Sequence, residues 1–239
     1  MRTKQQTSNY HTPSSPTASS QPKPQLKWLL LIGMLATGAL VIPLVLELLT
    51  PPVYTGIALD YSQSATPFAA ERRQVCKTVS QRQKTGDGSA IVTFADRAEI
   101  TSHIGFVWNK LELAAQCQQP ELKKYGIGKY SGTSLSLPLQ ELIDLQQRQK
   151  HSQDSRPFVG IVFLQEAEAG PNQPKLDFEE IKASIEQINR NNGVVAIIGP
   201  TGHLKEQLKA HLKDTKVEVC SFAEINYCVD WSFTEGRKR

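Results

Sequence analysis

The sequence predicts an α/β protein with a doubly wound, mostly parallel sheet that carries helices on both faces, preceded by one transmembrane helix. The first indication is the alternation of apolar, strand-like segments with amphipathic, helix-like segments between residues 51 and 239. The second is that two strand-like segments, RPFVGIVFL and VVAIIG, are almost continuously apolar, as in strands buried on both faces. The third is an uncharged apolar run from Trp28 to Leu46.

The first 27 residues form a basic tail. They are rich in Ser, Thr, Gln and Pro and contain no run of large apolar residues, so we expect residues 1–27 to be disordered. The tail has four basic and no acidic residues, which accounts for the whole net charge of +4. Because the rest of the chain is balanced in charge, it lacks the basic excess that nucleic-acid binding requires.

The apolar run predicts a transmembrane helix over residues 28–49. Its 19 uncharged residues would measure about 28 Å as a helix, close to the roughly 30 Å of a bilayer's hydrocarbon core. A cleaved signal peptide is the competing interpretation, but the run exceeds the usual length of about 7–15 residues and no convincing cleavage site follows it. Lys23 and Lys27 precede the run, so we expect a cytoplasmic N-terminus and an exocytoplasmic C-terminal domain.

Residues 53–230 are predicted to form one folded domain. Its first half should contain the strand VYTGIALD, then a helix that Thr66 caps and that ends before Gly86. The strand SAIVTFA follows, and a tight turn leads to its partner strand RAEITSHI. Residues 106–128 have an ambiguous pattern, with a helical part around KLELAAQC.

The second half of the domain has a clearer pattern. A helix that Pro138 opens precedes the buried strand RPFVGIVFL. Asp177, followed three residues later by Glu180, is a capping-box pattern for a second helix before the buried strand VVAIIG. Thr201 should cap a third helix ahead of the last strand, KVEVCSF, and residues 231–239 are assigned to a C-terminal tail.

Four cysteines follow the apolar run: Cys76, Cys117, Cys220 and Cys228. If this part of the chain is exported, an even number of cysteines can form two disulfides, and the simplest pairing joins neighbours along the chain. Four buried thiols are the alternative, and the sequence does not decide between them. No pair has CxxC spacing, so the pattern does not indicate a zinc site.

Three oxygen-bearing side chains follow the first strand at alternate positions, in the segment GIALDYSQSAT. Alternate side chains of an extended chain point the same way, which would direct Asp60, Ser62 and Ser64 to one point beyond the strand. Ligands of parallel sheets bind beyond the carboxyl ends of the strands. The pattern therefore raises the question whether these side chains hold a metal ion. The alternative is a purely structural role, in which the serines cap the next helix and Asp60 accepts backbone N–H bonds.

The segment from Asp60 to Ser64 matches the DxSxS motif of von Willebrand factor type A-like domains. The segment IVTFADRAEI resembles that family's second and third strands, and the three residues ending in Thr133 resemble its threonine loop, so the resemblance covers roughly residues 53–230. It implies a metal-ion-dependent adhesion site, usually for Mg²⁺, with Asp60, Ser62, Ser64 and Thr133 around the ion directly or through water. Mn²⁺ is a second candidate ion.

The fourth strand departs from the family's pattern. Where the family usually has Thr-Asp-Gly, this chain has Gln165, Glu166 and Ala167. Glu166 keeps the charge of the family's second aspartate but is one methylene longer, and it could still hold a metal-bound water; Glu168 is a second candidate. A degenerate site that no longer binds metal is the alternative.

The resemblance implies a module that binds an acidic side chain of a partner protein through its metal ion, and with the predicted transmembrane helix we expect a non-enzymatic, membrane-anchored protein. A metal-free scaffold of the same fold is the leading alternative, and a metal-dependent hydrolase comes third. The sequence has no recognisable general base, nucleophile elbow or assembled catalytic set. The segment GPTGHLKEQL lacks the spacing and the lysine of a phosphate loop, and the five histidines lack metal-ligand spacing.

Overall fold

The computed structural model describes residues 50–62, 64–95, 97–107, 110–118, 133–165, 176–200 and 202–239. The predicted tail and transmembrane helix (residues 1–49) lie outside this range, as do Glu166, Glu168 and Thr201. No helix within the described part of the chain is long and apolar enough to cross a membrane. The described residues belong to one compact unit, Thr50–Arg239.

Six strands form a single sheet in the order β3-β2-β1-β4-β5-β6. They are β1 (Tyr54–Asp60), β2 (Gly88–Phe94), β3 (Ala98–Ile104), β4 (Phe158–Phe163), β5 (Gly193–Ile198) and β6 (Val217–Cys220). Every neighbouring pair is parallel except β2 and β3, which are antiparallel. All six strands coincide with predicted strand segments, so the prediction of a mostly parallel sheet is confirmed.

Within the described residues, six helices cover the two faces of the sheet. They are α1 (Ala69–Arg82), α2 (Lys110–Gln118), α3 (Ser136–His151), α4 (Phe178–Arg190), α5 (Gly202–Leu212) and α6 (Ile225–Arg237). Helices α1, α2 and α6 pack their apolar side chains on one face of the sheet, and α3, α4 and α5 pack on the other. The strand order changes direction at β1, which lies between β2 and β4 in the sheet. Ligands of such sheets usually bind at this position.

The predicted helix starts are right for one helix and wrong for another. Asp177 caps α4 as expected, because its carboxylate accepts the N–H groups of Glu179 and Glu180. Thr66 does not cap α1: the helix begins at Ala69 after a 3₁₀ turn whose cap, Ala65, makes no side-chain bond. Phe68 N–H of this turn donates to Ala65 O at 3.1 Å, and Thr66 itself is exposed.

Helix α6 was not predicted from the sequence. The prediction that residues 231–239 form a C-terminal tail is wrong for most of that range. The helix runs to Arg237, and its buried residues recur at helical spacing: Ile225, Cys228, Val229, Ser232, Phe233 and Gly236. Gly236 permits close contact with the sheet, since a Cβ there would lie 2.5 Å from Val159 Cγ2. The serine and glycine interrupt the apolar stripe, which hides the helix in the sequence.

Both disulfides follow the simplest pairing. Cys76 of α1 is bonded to Cys117 of α2, with 5.8 Å between their Cα atoms. Cys220 at the end of β6 is bonded to Cys228 of α6, with a Cα separation of 6.1 Å. The alternative of four free thiols is therefore wrong.

A buried ion pair joins α6 to the amino-terminal edge of the sheet. The Asp87 carboxylate is fully buried and accepts the N–H groups of Val53 at 2.8 Å and Lys84 at 2.9 Å. Arg237 donates to both of its oxygens, at 3.2 and 2.7 Å. The buried carboxylate of Asp87 thus accepts hydrogen bonds on both oxygens and is paired with a positive charge, as a buried charge requires.

Candidate functional site

The candidate site lies at the carboxyl end of β1. Asp60 is the last residue of this central strand, and the next residue, Tyr61, still donates its N–H to Phe94 O of β2. The chain then turns, and Ala65 N–H bonds to Ser62 O. This turn brings the side chains that follow the strand back above the edge of the sheet.

Four of the five predicted site residues form one cluster. Ser62 N–H donates to Asp60 Oδ1 at 2.8 Å, and the hydroxyls of Ser62 and Ser64 lie 3.0 Å apart. Thr133, which precedes α3, donates its hydroxyl to Asp60 Oδ2 at 3.4 Å. The fifth residue, Glu166, lies outside the described residues and stays a prediction.

The helix-capping alternative for the two serines is wrong, since neither the 3₁₀ turn nor α1 has a side-chain cap bond. The other half of that alternative is correct, because Asp60 does accept a backbone N–H. Its carboxylate therefore has one local and one distant protein donor, and neither excludes a further interaction with a cation.

Burial governs the electrostatics of Asp60, which is 1% exposed. Burial raises the pKa of its carboxyl from 3.8 to about 6, while the N–H and hydroxyl of Ser62, the charge of Arg72 and the Thr133 hydroxyl oppose the rise. The group is still ionised at neutral pH, yet its charge is poorly compensated by the protein. A bound cation would supply the missing compensation.

The donor set fits Mg²⁺ chemically. It consists of one carboxylate and three hydroxyls, and Mg²⁺ prefers such hard oxygen ligands while retaining several waters. Asp60, Ser62 and Thr133 are buried, whereas Ser64 is exposed and marks the side of the cluster that faces solvent. Within the described ranges, no group of three or more His, Cys, Asp or Glu residues could hold a metal.

Sequence reasoning missed Arg72. This residue of α1 is 8% exposed, and its Nη1 donates to the carbonyls of Asp60, at 3.1 Å, and of Ala65. Its guanidinium lies 4.5 Å from the centre of the Tyr61 ring. Arg72 thus holds both ends of the turn that carries the serines. The sequence does contain a signal that Arg72 is buried, because Arg72 shares a helical face with the apolar Val75 and Val79.

Comparison with known proteins identifies the fold. No family model matches the sequence, and no curated protein matches it. Three solved structures are similar over 78–79% of this chain. They are proximal thread matrix protein 1 from mussel byssus with a zinc-occupied MIDAS motif (14% identity, TM-score 0.50), a von Willebrand factor type A protein from Catenulispora acidiphila (11%, 0.51) and BatB from Bacteroides thetaiotaomicron (18%, 0.54).

The three matches cover different fractions of the length of the solved structures. This chain spans 48% of the mussel chain and 42% of the Catenulispora chain, but the whole of the BatB chain. Such low identities establish the fold alone. The described domain has the fold of von Willebrand factor type A domains, as the DxSxS resemblance implied.

Proposed function

We propose that this chain is a membrane-anchored, non-enzymatic protein-interaction module whose Asp60 cluster holds Mg²⁺ and presents it to an acidic side chain of a partner protein. The observation that carries the proposal is the convergence of Asp60 with Thr133, which follows 73 residues later, beside the paired hydroxyls of Ser62 and Ser64. The fold adds support, and so does the divalent ion that the mussel protein holds in its MIDAS motif.

Each residue of the cluster has a distinct role in this proposal. Asp60 provides a negative charge, and the hydroxyls of Ser62, Ser64 and Thr133 provide neutral oxygens, directly or through water. When bound, Mg²⁺ supplies a positive charge that these few anionic ligands leave partly uncancelled, and a coordination position for a partner's carboxylate. Glu166 is proposed to orient a metal-bound water, and Mn²⁺ would suit the same ligands.

The surroundings of the cluster favour an acidic partner. Burial raises the pKa of the Tyr61 hydroxyl, and the positive charges of Arg72 and Arg73 oppose that rise, so both guanidinium groups lie within electrostatic range of this loop. Arg73 is exposed and can meet a partner directly. A carboxylate that approaches the exposed Ser64 side would therefore meet the positive charge of Arg73 and, once the ion is bound, that of Mg²⁺.

The two disulfides support the proposed location. Disulfides persist in oxidising compartments and are rare in the cytosol. Cys76–Cys117 and Cys220–Cys228 both lie in the described domain, which we place on the exocytoplasmic side of the membrane. Residues 28–49 would then cross the bilayer once and leave the basic N-terminal tail in the cytoplasm.

A metal-free scaffold is the second candidate function. It is favoured by the two hydrogen bonds that Asp60 already accepts from Ser62 and Thr133, and by the glutamate that replaces the family's second aspartate at position 166. In that case the domain would bind partners through other surfaces.

Calorimetric titration with Mg²⁺ and Mn²⁺ distinguishes the two candidates. The purified full-length chain should bind either ion, the variant Asp60→Ala should not, and the matched control Ser134→Ala should bind like the unmodified chain. Ser134 is buried next to Thr133 but lies outside the hydrogen-bonded cluster. Absence of heat with both ions would reject the metal site and leave the scaffold function.

Partner binding and topology need separate tests. Cross-linking in intact membranes should capture a partner in the presence of Mg²⁺ and lose it on chelation, and chelator-independent capture would contradict a metal bridge. Protease added to spheroplasts should digest the domain. Digestion only in inverted vesicles would place the domain in the cytoplasm instead.

A further inference from the structure

The described domain has a basic end, at the edge of the sheet where its parallel strands begin. Helices that pack on parallel strands run against them, so α1, α3, α4, α5 and α6 all end there. Exposed basic residues, which stabilise the C-terminal ends of helices, gather at this end: Arg148 and Lys150 of α3, Arg190 of α4, and Lys213 and Lys216 after α5. Acidic residues such as Glu71, Glu179 and Glu180 lie in the first turns of helices, at the opposite end.

The carboxylates at the basic end leave most of its charge uncancelled. Among the described residues, three of them are each paired with a base of their own: Asp87 with Arg237, Asp154 with Arg156, and Glu235 with Lys238. Asp214 is exposed and offsets one further base. The ion pairs of Arg148 and Arg190 span 3.8 and 3.6 Å, and these side chains are 66% and 68% exposed. Such exposed pairs are weak, so both guanidinium groups can meet an external anion.

An exposed aromatic side chain lies at the same end. Strand β3 ends at Ile104, opposite Ser89, and Phe106 follows two residues later with 43% of its surface exposed. A Cβ placed on Gly86 would lie 3.7 Å from Pro52 Cβ and 3.9 Å from Phe106 Cε2, so the aromatic ring lies close to Pro52. Basic and aromatic side chains together are typical of surfaces that bind the interface of a bilayer.

The chain enters the domain at this end. Lys84 Nζ donates to the Thr50 hydroxyl at 2.6 Å, and Arg237 Nη1 donates to the carbonyl of Pro51 at 2.9 Å, so the entering segment is fastened to the domain. The apolar run ends at Leu46, and residues 47–49 span at most about 11 Å when fully extended. This length is comparable to the Debye length of about 8 Å at physiological ionic strength.

We propose that the basic end docks on anionic headgroups of the bilayer that holds the predicted transmembrane helix. Arg148, Lys150 and Arg190 pair with lipid phosphates, and Phe106 enters the interfacial layer. The inference rests on the proposed membrane anchoring and adds an orientation to it. Strand β1 has seven residues, so the Asp60 cluster at its other end would lie about 20 Å further from the bilayer, where a partner can reach it.

Hydrogen exchange of the full-length chain in two kinds of vesicle tests the contact. The vesicles contain phosphatidylcholine alone, or phosphatidylcholine with about 30% phosphatidylglycerol. We expect amides of residues 105–107 and 148–153 to exchange at least about threefold more slowly with the anionic lipid, and about 1 M salt to remove the difference. Amides of the turn after Asp60 should exchange equally in both.

Two pairs of variants assign the contact to residues. Arg148→Gln, Lys150→Gln and Arg190→Gln together should abolish the dependence on anionic lipid. The matched control changes Arg73, Lys77 and Lys182 to Gln, which removes the same charge from the first two turns of α1 and α4 and should keep the dependence.

Phe106→Ser should weaken the protection of residues 105–107. Tyr227→Ser, which removes a 58% exposed aromatic ring from the first turn of α6, should not. Unchanged exchange of the turn after Asp60 will show that each variant is folded.

Equal exchange in neutral and anionic vesicles would overturn the proposal, as would protection that survives in the triple variant. Protection in neutral vesicles that grows with the ratio of protein to lipid would identify a second copy of the chain as the occupant and reject the lipid. Extraction with alkaline carbonate tests the anchor separately. An extractable chain that anionic lipid still protects refutes only the anchor, whereas a chain that resists extraction without protection refutes only this docking.

Discussion

The hydroxyl of Thr133 donates a hydrogen bond of 3.4 Å to the Asp60 carboxylate, although 73 positions separate the two residues along the chain. The other carboxylate oxygen of Asp60 accepts the N–H of Ser62 from its own turn. Because Asp60 is 1% exposed, its negative charge is stabilised by these donors and by the nearby charge of Arg72 rather than by water. Burial of this charge lowers the free energy of unfolding by an amount that can be measured.

Asp60→Asn should stabilise the metal-free protein at pH 7.5. The folded-state pKa of Asp60 is raised from 3.8 to about 6, so the contribution of this carboxyl to stability is fully present below about pH 4 and is lost as the pH rises through 6. The neutral amide avoids this loss, which amounts to roughly 3 kcal/mol for a rise of about two pKa units. Urea unfolding with a chelator at pH 4 and pH 7.5 measures the effect. Equal or lower stability of the variant at pH 7.5 would contradict it.

Arg72→Gln should lower the free energy of unfolding by about 2 kcal/mol, because two carbonyl groups of the Asp60 turn lose a charged donor. The adjacent Arg73 is exposed, so Arg73→Gln should change the stability by less than about 0.5 kcal/mol. Chemical denaturation of the full-length chain provides the comparison. Equal effects of the two substitutions would show that the buried guanidinium does not hold the turn.

Asp87→Ala should destabilise the protein by about 3–5 kcal/mol, because it leaves a buried guanidinium and two N–H groups without their acceptor. Arg237 is 14% exposed at this contact and Asp87 is fully buried. The Arg82–Asp230 pair is 47% exposed on both sides, so Asp230→Ala should cost less than about 1 kcal/mol. Thermal and urea unfolding of both variants test the contrast, which a small effect of Asp87→Ala would refute.

Removal of the two disulfides should have unequal effects. They enclose loops with sequence separations of 41 and 8 residues. The loop-entropy relation gives about 4 kcal/mol for the longer loop and about 2.5 kcal/mol for the shorter one. Replacing Cys76 and Cys117 by alanine should therefore cost more than replacing Cys220 and Cys228, as measured by urea unfolding. The reverse order would indicate that local packing outweighs chain entropy.

Local patterns in the sequence were sufficient to predict all six strands. Val159 and Val194, for example, lie in apolar runs that only a strand buried on both faces explains. Helix α6 escaped prediction because Ser232 and Gly236 occupy buried positions on its apolar face. Their places are acceptable only because the helix packs closely on β4, which no local pattern shows.

The candidate site was predictable to a similar extent. Alternate spacing indicated Asp60, Ser62 and Ser64, and the family resemblance added Thr133, but neither pointed to Arg72. The position of Arg72 on the apolar face of α1 indicates that it is buried, but its two carbonyl acceptors become visible only when the turn is folded against α1. Glu166 lies outside the described residues, so its contribution stays a prediction.

The sequence by itself determined the strands and the oxygen-bearing side chains after β1, because these follow from patterns a few residues long, and the alternation of strands with helices predicted the mostly parallel arrangement. Only the tertiary structure decided that Thr133 meets Asp60, that Arg72 braces the turn and that Asp87 pairs with Arg237. These contacts join distant parts of the chain, and burial increases their energies by removing water from the charged groups.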